Sequence, residues 1–140
     1  MIRCHPWRPL AGKGVKALLD TSVLIEGSIP PRLDVAISSV SIAELHFGVH
    51  IARDESHRAL RTKRLGLIES RFPDPLPIDD RVAREWGHLQ AIVASRGGKP
   101  RARGADLAIA ATALVHKAAL VTHNIRDFKL IEDQLEIIAA

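Results

Sequence analysis

Apolar positions along the chain recur with two periods, and the changes between them predict strands alternating with helices. Val15 to Asp20 (VKALLD) is a short apolar run that ends on an acid and is followed by Thr-Ser, the pattern of a buried strand feeding a helix. Gly27 and the pair Pro30-Pro31 close this unit. Asp34 to Val40 (DVAISSV) predicts a second strand. Ser41 then caps a helix, SIAELHFGVHIA, with Ile42, Leu45 and Val49 as its apolar stripe and Glu44 as the capping-box acid. Glu55 to Arg71 reads as an arginine-rich amphipathic helix through Leu60, Leu65 and Ile68. Phe72 to Pro77 (FPDPLP) is a proline-punctuated connector with room for a brief extended segment ending at Ile78. Asp79 or Asp80 starts another helix, which passes Trp86, Leu89 and Val93 and ends at Gly97-Gly98. After a basic loop, KPRARG, the stretch ADLAIAATALVHKA is so uniformly apolar that burial on several sides is expected. AALVTHN predicts a third strand, NIRDF a short helical turn, and LEIIA a last strand.

This alternation indicates an α/β fold: one domain with a mostly parallel central sheet flanked by helices, at a length of 140 residues that suits a single core. The domain is expected over residues 15–140. The opening stretch, residues 1–14 (MIRCHPWRPLAGKG), has no periodicity and reads as a loose extension. Hydrophobic residues at 46% and charged residues at 26% exclude a disordered chain or a coiled coil. No stretch approaches the roughly 20 apolar residues that span a bilayer. The absence of a secretory pattern at the start and the lone Cys4 make the cytoplasm the expected compartment. An excess of 20 Lys+Arg over 16 Asp+Glu suits a polyanionic partner. Aromatic residues are only 4% and tyrosine is absent, so nucleic acid would be held mainly through phosphates rather than by stacking rings.

In a sheet of this kind ligands bind beyond the carboxyl ends of the strands, and here that edge is acidic. Asp20 ends the first strand, Glu44 lies early in the helix after the second, Asp106 begins the alanine-rich helix, and Asp127 follows the AALVTHN strand. Each acid alone has an ordinary explanation as a cap or as a partner of a helix dipole. The four together do not, because two carboxylates ~4 Å apart repel by roughly 4 kcal/mol at an effective dielectric of 20. An oxygen-only cluster suits Mg²⁺ or Mn²⁺. Such an ion activates water for attack at phosphorus and lets a negative pocket accept a negative substrate.

LLDTSVLIE, SIAELHFGV, GADLAIAATA and LVTHNIRDF follow one another at domain-scale separation. As a set they resemble the motifs of PIN-domain ribonucleases, specifically the VapC-type toxins of bacterial toxin–antitoxin pairs, and the likeness covers the chain from Val15 onward. The resemblance places the family's acidic quartet on Asp20, Glu44, Asp106 and Asp127. It implies Mg²⁺ or Mn²⁺ as cofactor, metal-dependent cleavage of RNA phosphodiesters by an activated water, a homodimer, and inhibition by a small cognate VapB-type antitoxin. Ser22, Thr122 and Asn124 match its supporting polar positions.

Lys99, Arg101 and Arg103 stand just upstream of Asp106 and are candidates for gripping RNA phosphates, or else form a solvated loop. Arg53, Arg58, Arg61, Lys63 and Arg64 are open to the same two readings, or face the antitoxin. His46 and His50, four apart on one helix face, could bind zinc, but no acid follows His46, so the protease pattern HExxH is missing. Phosphoaspartyl chemistry at Asp20 would want an acid where Ser22 stands. The alternative of another class is a PIN-like module that binds RNA or protein without cutting; the complete quartet argues against it.

Overall fold

The computed structural model describes residues 6–9 and 14–140. Strand β1 is Arg8–Pro9 and β2 is Val15–Leu19; helix α1, Thr21–Glu26, leads to β3, Leu33–Ile37. Four helices follow: α2, Ser39–His50; α3, Glu55–Arg71; α4, Asp80–Ser95; and α5, Gly104–Val115, which continues a 3-10 turn over Pro100–Arg103. Strand β4, Ala119–Thr122, a second 3-10 segment over Ile125–Ile131, and β5, Ile137–Ala139, complete the chain. The sheet order is β1-β3-β2-β4-β5, with every pair parallel except the antiparallel edge pair β1–β3. This is the expected α/β architecture. From β2 the chain first steps to β3 on one side and later returns to β4 on the other. The topology therefore reverses between β2 and β4, the place where such sheets open a crevice at the strand ends.

Alternation along the strands assigns the two cores. Ala17 and Leu19 of β2 face a layer made by α1, α2 and α3, with Val23, Leu45, Leu65 and Ile68. Leu18 faces the opposite layer, where Leu89 and Val93 of α4 meet Ile109 and Ala110 of α5. Leu107 to Ala113 of α5 are all buried, which is why the sequence there shows no polar stripe. Gly27 ends α1 in a left-handed conformation at φ 82°, as the helix-stop signal required.

The observed elements depart from the sequence expectations at three places. Helix α2 begins at Ser39 and is capped by Ser38, whose hydroxyl accepts from Val40 N at 3.0 Å. Ser41 is thus inside the helix and Glu44 belongs to no capping box, which leaves its carboxylate available elsewhere. The basic KPRARG stretch is not an open loop but a 3-10 turn running into α5. Within residues 1–14, positions 1–5 and 10–13 lie outside the described residues, but the part that is described is built into the fold. Arg8 and Pro9 pair with Val35 and Asp34, and Trp7 is buried against the α4–α5 core with Lys16 Nζ 5.1 Å from its ring centroid. The lack of periodicity misled because a two-residue edge strand is too short to display one. The proline-rich connector does carry the anticipated extended contact: Leu76 N donates to Ile37 O and Ser39 N to Leu76 O, both at 2.9 Å, prolonging β3.

A buried tryptophan truncated to alanine costs about 3 kcal/mol in a packed core. Trp7→Ala is expected to lower the urea midpoint accordingly at unchanged m-value; a change below ~0.5 kcal/mol would assign the segment to the surface.

Candidate active site

Asp20 stands at the reversal point. Its backbone N donates to Val121 O of β4 at 3.0 Å, which fixes the strand end against its neighbour. Its side chain is buried at 4% exposure and caps α1. Oδ2 accepts from Thr122 Oγ1 at 2.6 Å, while Oδ1 accepts from Ser22 Oγ and, at 3.3 Å, from Val23 N. A carboxylate offers about four acceptor sites, so three donors hold the group rigid and leave it one direction open. The cap reading and the site reading of Asp20 are therefore both satisfied by one geometry. The donors are themselves anchored: His123 N donates to Ser22 Oγ at 3.1 Å and Asn124 N to Thr122 Oγ1 at 2.9 Å. Asn124 thus contributes through its backbone, and its exposed side chain caps nothing.

Glu44, released from any capping box, lies in the second turn of α2. Its Oε1 accepts from Thr21 Oγ1 at 2.6 Å, and Thr21 in turn lies 2.9 Å from the buried Ser41 Oγ. Thr21 is the side chain of the candidate site that sequence reasoning missed. It sits between Asp20 and Ser22 in the same motif, and only the approach of α2 to α1 gives it a role.

Asp106, in the first turn of α5, is the most perturbed of the acids. Its pKa is pushed up from 3.8 to about 6, first by burial and then by the negative charges of Asp127, Glu44 and Asp20; Arg103 acts in the opposite sense. Four carboxylates carried by four separate elements thus share one electrostatic field. Arg103 Nη1 lies 3.0 Å from Asp127 Oδ1 and 3.9 Å from Asp106 Oδ2, a guanidinium placed between two of them. Lys99 and Arg101 are exposed on the same 3-10 approach. The oxygen-only donor set fits Mg²⁺ or Mn²⁺ in kind. Among the described residues no three His, Cys, Asp or Glu side chains close into a ready-made ion cage.

Other candidates are absorbed by structure. His46 Nε2 meets Glu69 Oε1 at 2.7 Å, tying α2 to α3, and a zinc role with His50 has no third ligand among the described residues. Arg61 Nη1 donates to Gly48 O at 2.6 Å and so braces α3 against α2, while Arg58 pairs with Glu55 within α3.

An acid whose pKa the fold raises holds a proton in the folded chain that the unfolded chain has lost. Between about pH 4 and 6, stability therefore falls as pH rises. In EDTA at pH 7, Asp106→Asn is expected to be more stable than the parent by about 1 kcal/mol, less than the full shift implies because the side chain keeps 27% exposure. The gap should close toward pH 4 in urea titrations; an equally large gap at both pH values would dissolve the electrostatic account.

Comparison with known proteins identifies the family. A family profile described as PIN domain matches residues 17–133. Ribonuclease VapC5 of Mycobacterium tuberculosis is 36% identical over 117 residues, covering 76% of this chain and 82% of that protein. Toxin FitB of Neisseria gonorrhoeae is 30% identical over 129 residues, covering 89% of this chain and 84% of that one. Among solved structures, VapBC-5 from Mycobacterium tuberculosis, a member of the VapBC family of toxin–antitoxin systems, superposes with a TM-score of 0.75 at 31% identity, over 89% of this chain and 97% of that chain. With the family profile, these relatives and the fold in agreement, the chain belongs to the PIN domain family and, within it, to the VapC ribonucleases.

Proposed function

We propose that the protein is a metal-dependent endoribonuclease acting as the toxin of a toxin–antitoxin pair. The support for this reading is that Arg103 bridges Asp106 and Asp127 while the negative charges of Asp20, Glu44 and Asp127 all act on Asp106 beside the topological switch point. Asp20, Glu44 and Asp106 would hold Mg²⁺ or Mn²⁺, with Asp127 completing the set. When bound, the ion would supply a Lewis acid that lowers the pKa of water and neutralises charge on the phosphoryl oxygens.

The chain's own groups have distinct tasks. Thr122 and Ser22 fix the Asp20 carboxylate by donating to its two oxygens, and Thr21 fixes Glu44. Arg103 pairs electrostatically with Asp106 and Asp127 before substrate arrives, and a guanidinium in that position is able to turn to an incoming phosphate. Lys99 and Arg101 extend the positive approach, so RNA is drawn in by its backbone. The named relatives are a ribonuclease and a toxin, and the solved neighbour is one of a toxin–antitoxin family. This supports RNA as substrate and a VapB-type antitoxin as partner, and a homodimer and a cytoplasmic setting accompany the reading. No helix among the described residues is long and apolar enough to cross a membrane.

Purified protein freed of any partner is expected to cut structured RNA with Mg²⁺ and to stop with EDTA. Asp20→Asn and Asp106→Asn should each lower cleavage about 100-fold or more with unchanged circular dichroism, since several kcal/mol of charge stabilisation is lost. Full activity in either variant would refute the assignment. Replacing Arg101 and Arg103 together by alanine should reduce the slope of log K for RNA against log salt by about 1.5. An unchanged slope would leave both residues as solvated surface.

A further inference from the structure

A cavity of about 320 Å³ opens beside the acids, between the end of α4, the Pro100–Arg103 turn, the start of α5 and the 3-10 segment after β4. The buried Val93, Leu107 and Ile131 form its floor, with Leu130 at the side. The exposed cations Lys99, Arg103, Arg126 and Lys129 line it, Lys129 paired with Glu132 at 3.1 Å and Arg103 with Asp127, which reaches the cavity from the acid cluster. Arg103 and Asp127 therefore belong to both places.

The walls are built rather than incidental. Arg96 Nη1 donates to Leu130 O at 2.6 Å and to Asp133 Oδ1 at 2.7 Å, while Nη2 donates to Asp133 Oδ2 at 3.0 Å. This fork fastens the 3-10 segment to the end of α4. Gly98 closes the corner: a Cβ there would stand 2.5 Å from Leu130 Cδ1 and 2.6 Å from Val93 Cγ1. Neither feature is needed by the acids, and both hold the cavity's shape.

The lining selects an occupant by chemistry. A small anion has no use for an apolar floor, and an apolar molecule has no use for the cations Lys99 and Arg126, unpaired among the described residues. A nucleotide has both a flat apolar face and a negative phosphate. At about 320 Å³ the volume is near the lower end of small-molecule sites, ~300–1,000 Å³, enough for one nucleotide and not for several. We propose that this cavity receives the base of one unpaired nucleotide adjoining the phosphate that is cut, with Leu130 and the Gly98 corner setting which base is accepted. The base is held on aliphatic surfaces, in keeping with a chain poor in aromatic rings. The proposal rests on the ribonuclease reading for the identity of the polymer, and on the cavity alone for the nucleotide.

The test uses the four nucleoside 5′-monophosphates and inorganic phosphate as probes, titrated in EDTA and followed by calorimetry and by amide chemical shifts. At least one nucleotide should bind about 10-fold or more tightly than phosphate. Leu130→Glu, which places a negative charge at the cavity wall, and Ala102→Leu, which narrows it from the exposed side, should each weaken that binding about 10-fold, the scale of a mismatched apolar pocket. With Mg²⁺ and RNA, both cavity variants should still cut but lose the parent's base preference at the mapped cleavage ends. Nucleotides binding no better than phosphate, or unchanged base preference in both variants, would overturn the cavity assignment. Nucleotide binding in a protein that cuts no RNA would remove the ribonuclease reading and leave the nucleotide site standing.

Discussion

The fold is organised around a buried carboxylate that must be satisfied. Asp20 sits at the end of a central strand, almost out of contact with solvent, and an unpaired charge there would be costly. The cost is met by three donors that no local stretch of chain supplies together: Ser22 and Val23 from the helix it caps, and Thr122 from a strand 102 positions away. Because Thr122 belongs to β4, the bond is made only if β4 lies beside β2, the pairing that reverses the sheet's direction of growth. One interaction therefore joins the stability of the switch point to the position of a functional oxygen.

The remaining acids are brought in by packing, at an electrostatic cost. Helix α5 is nearly all apolar and is driven into the sheet, which carries Asp106 with it to a half-buried position facing three other negative charges. Arg103, one turn before Asp106, offsets part of that repulsion. Such an arrangement is poor for the resting protein and suited to a site that takes up a cation and an anionic substrate.

The surroundings divide the work by charge and shape. The helices on one face brace each other through His46, Glu69 and Arg61, which leaves their arginines partly committed to architecture. On the other side the Arg96 fork and the Gly98 corner preserve a hollow next to the acids, apolar at its floor and lined also by cations. Phosphate attraction and base selection would then be supplied by different residues within one short reach of the cutting site.

Local pattern is enough to predict the alternating strands and helices from their periods, the stops at Gly27 and Gly97 from the glycines, and the burial of α5 from its unbroken apolar run, because those features depend on interactions within a few residues. The acids were legible as candidates because strand ends and helix starts can be located from local pattern. What local pattern could not reveal was which side chain answers which. The sequence around Glu44 spells a capping box, yet Ser38 caps α2, and Thr21 meets Glu44 only because α1 and α2 pack together. The short edge strand at Arg8–Pro9, the burial of Trp7 and the hollow beside Leu130 also arose from contacts between segments distant in sequence. Such contacts leave no period to read, since their energy resides in the meeting of surfaces and not in the chain that carries them.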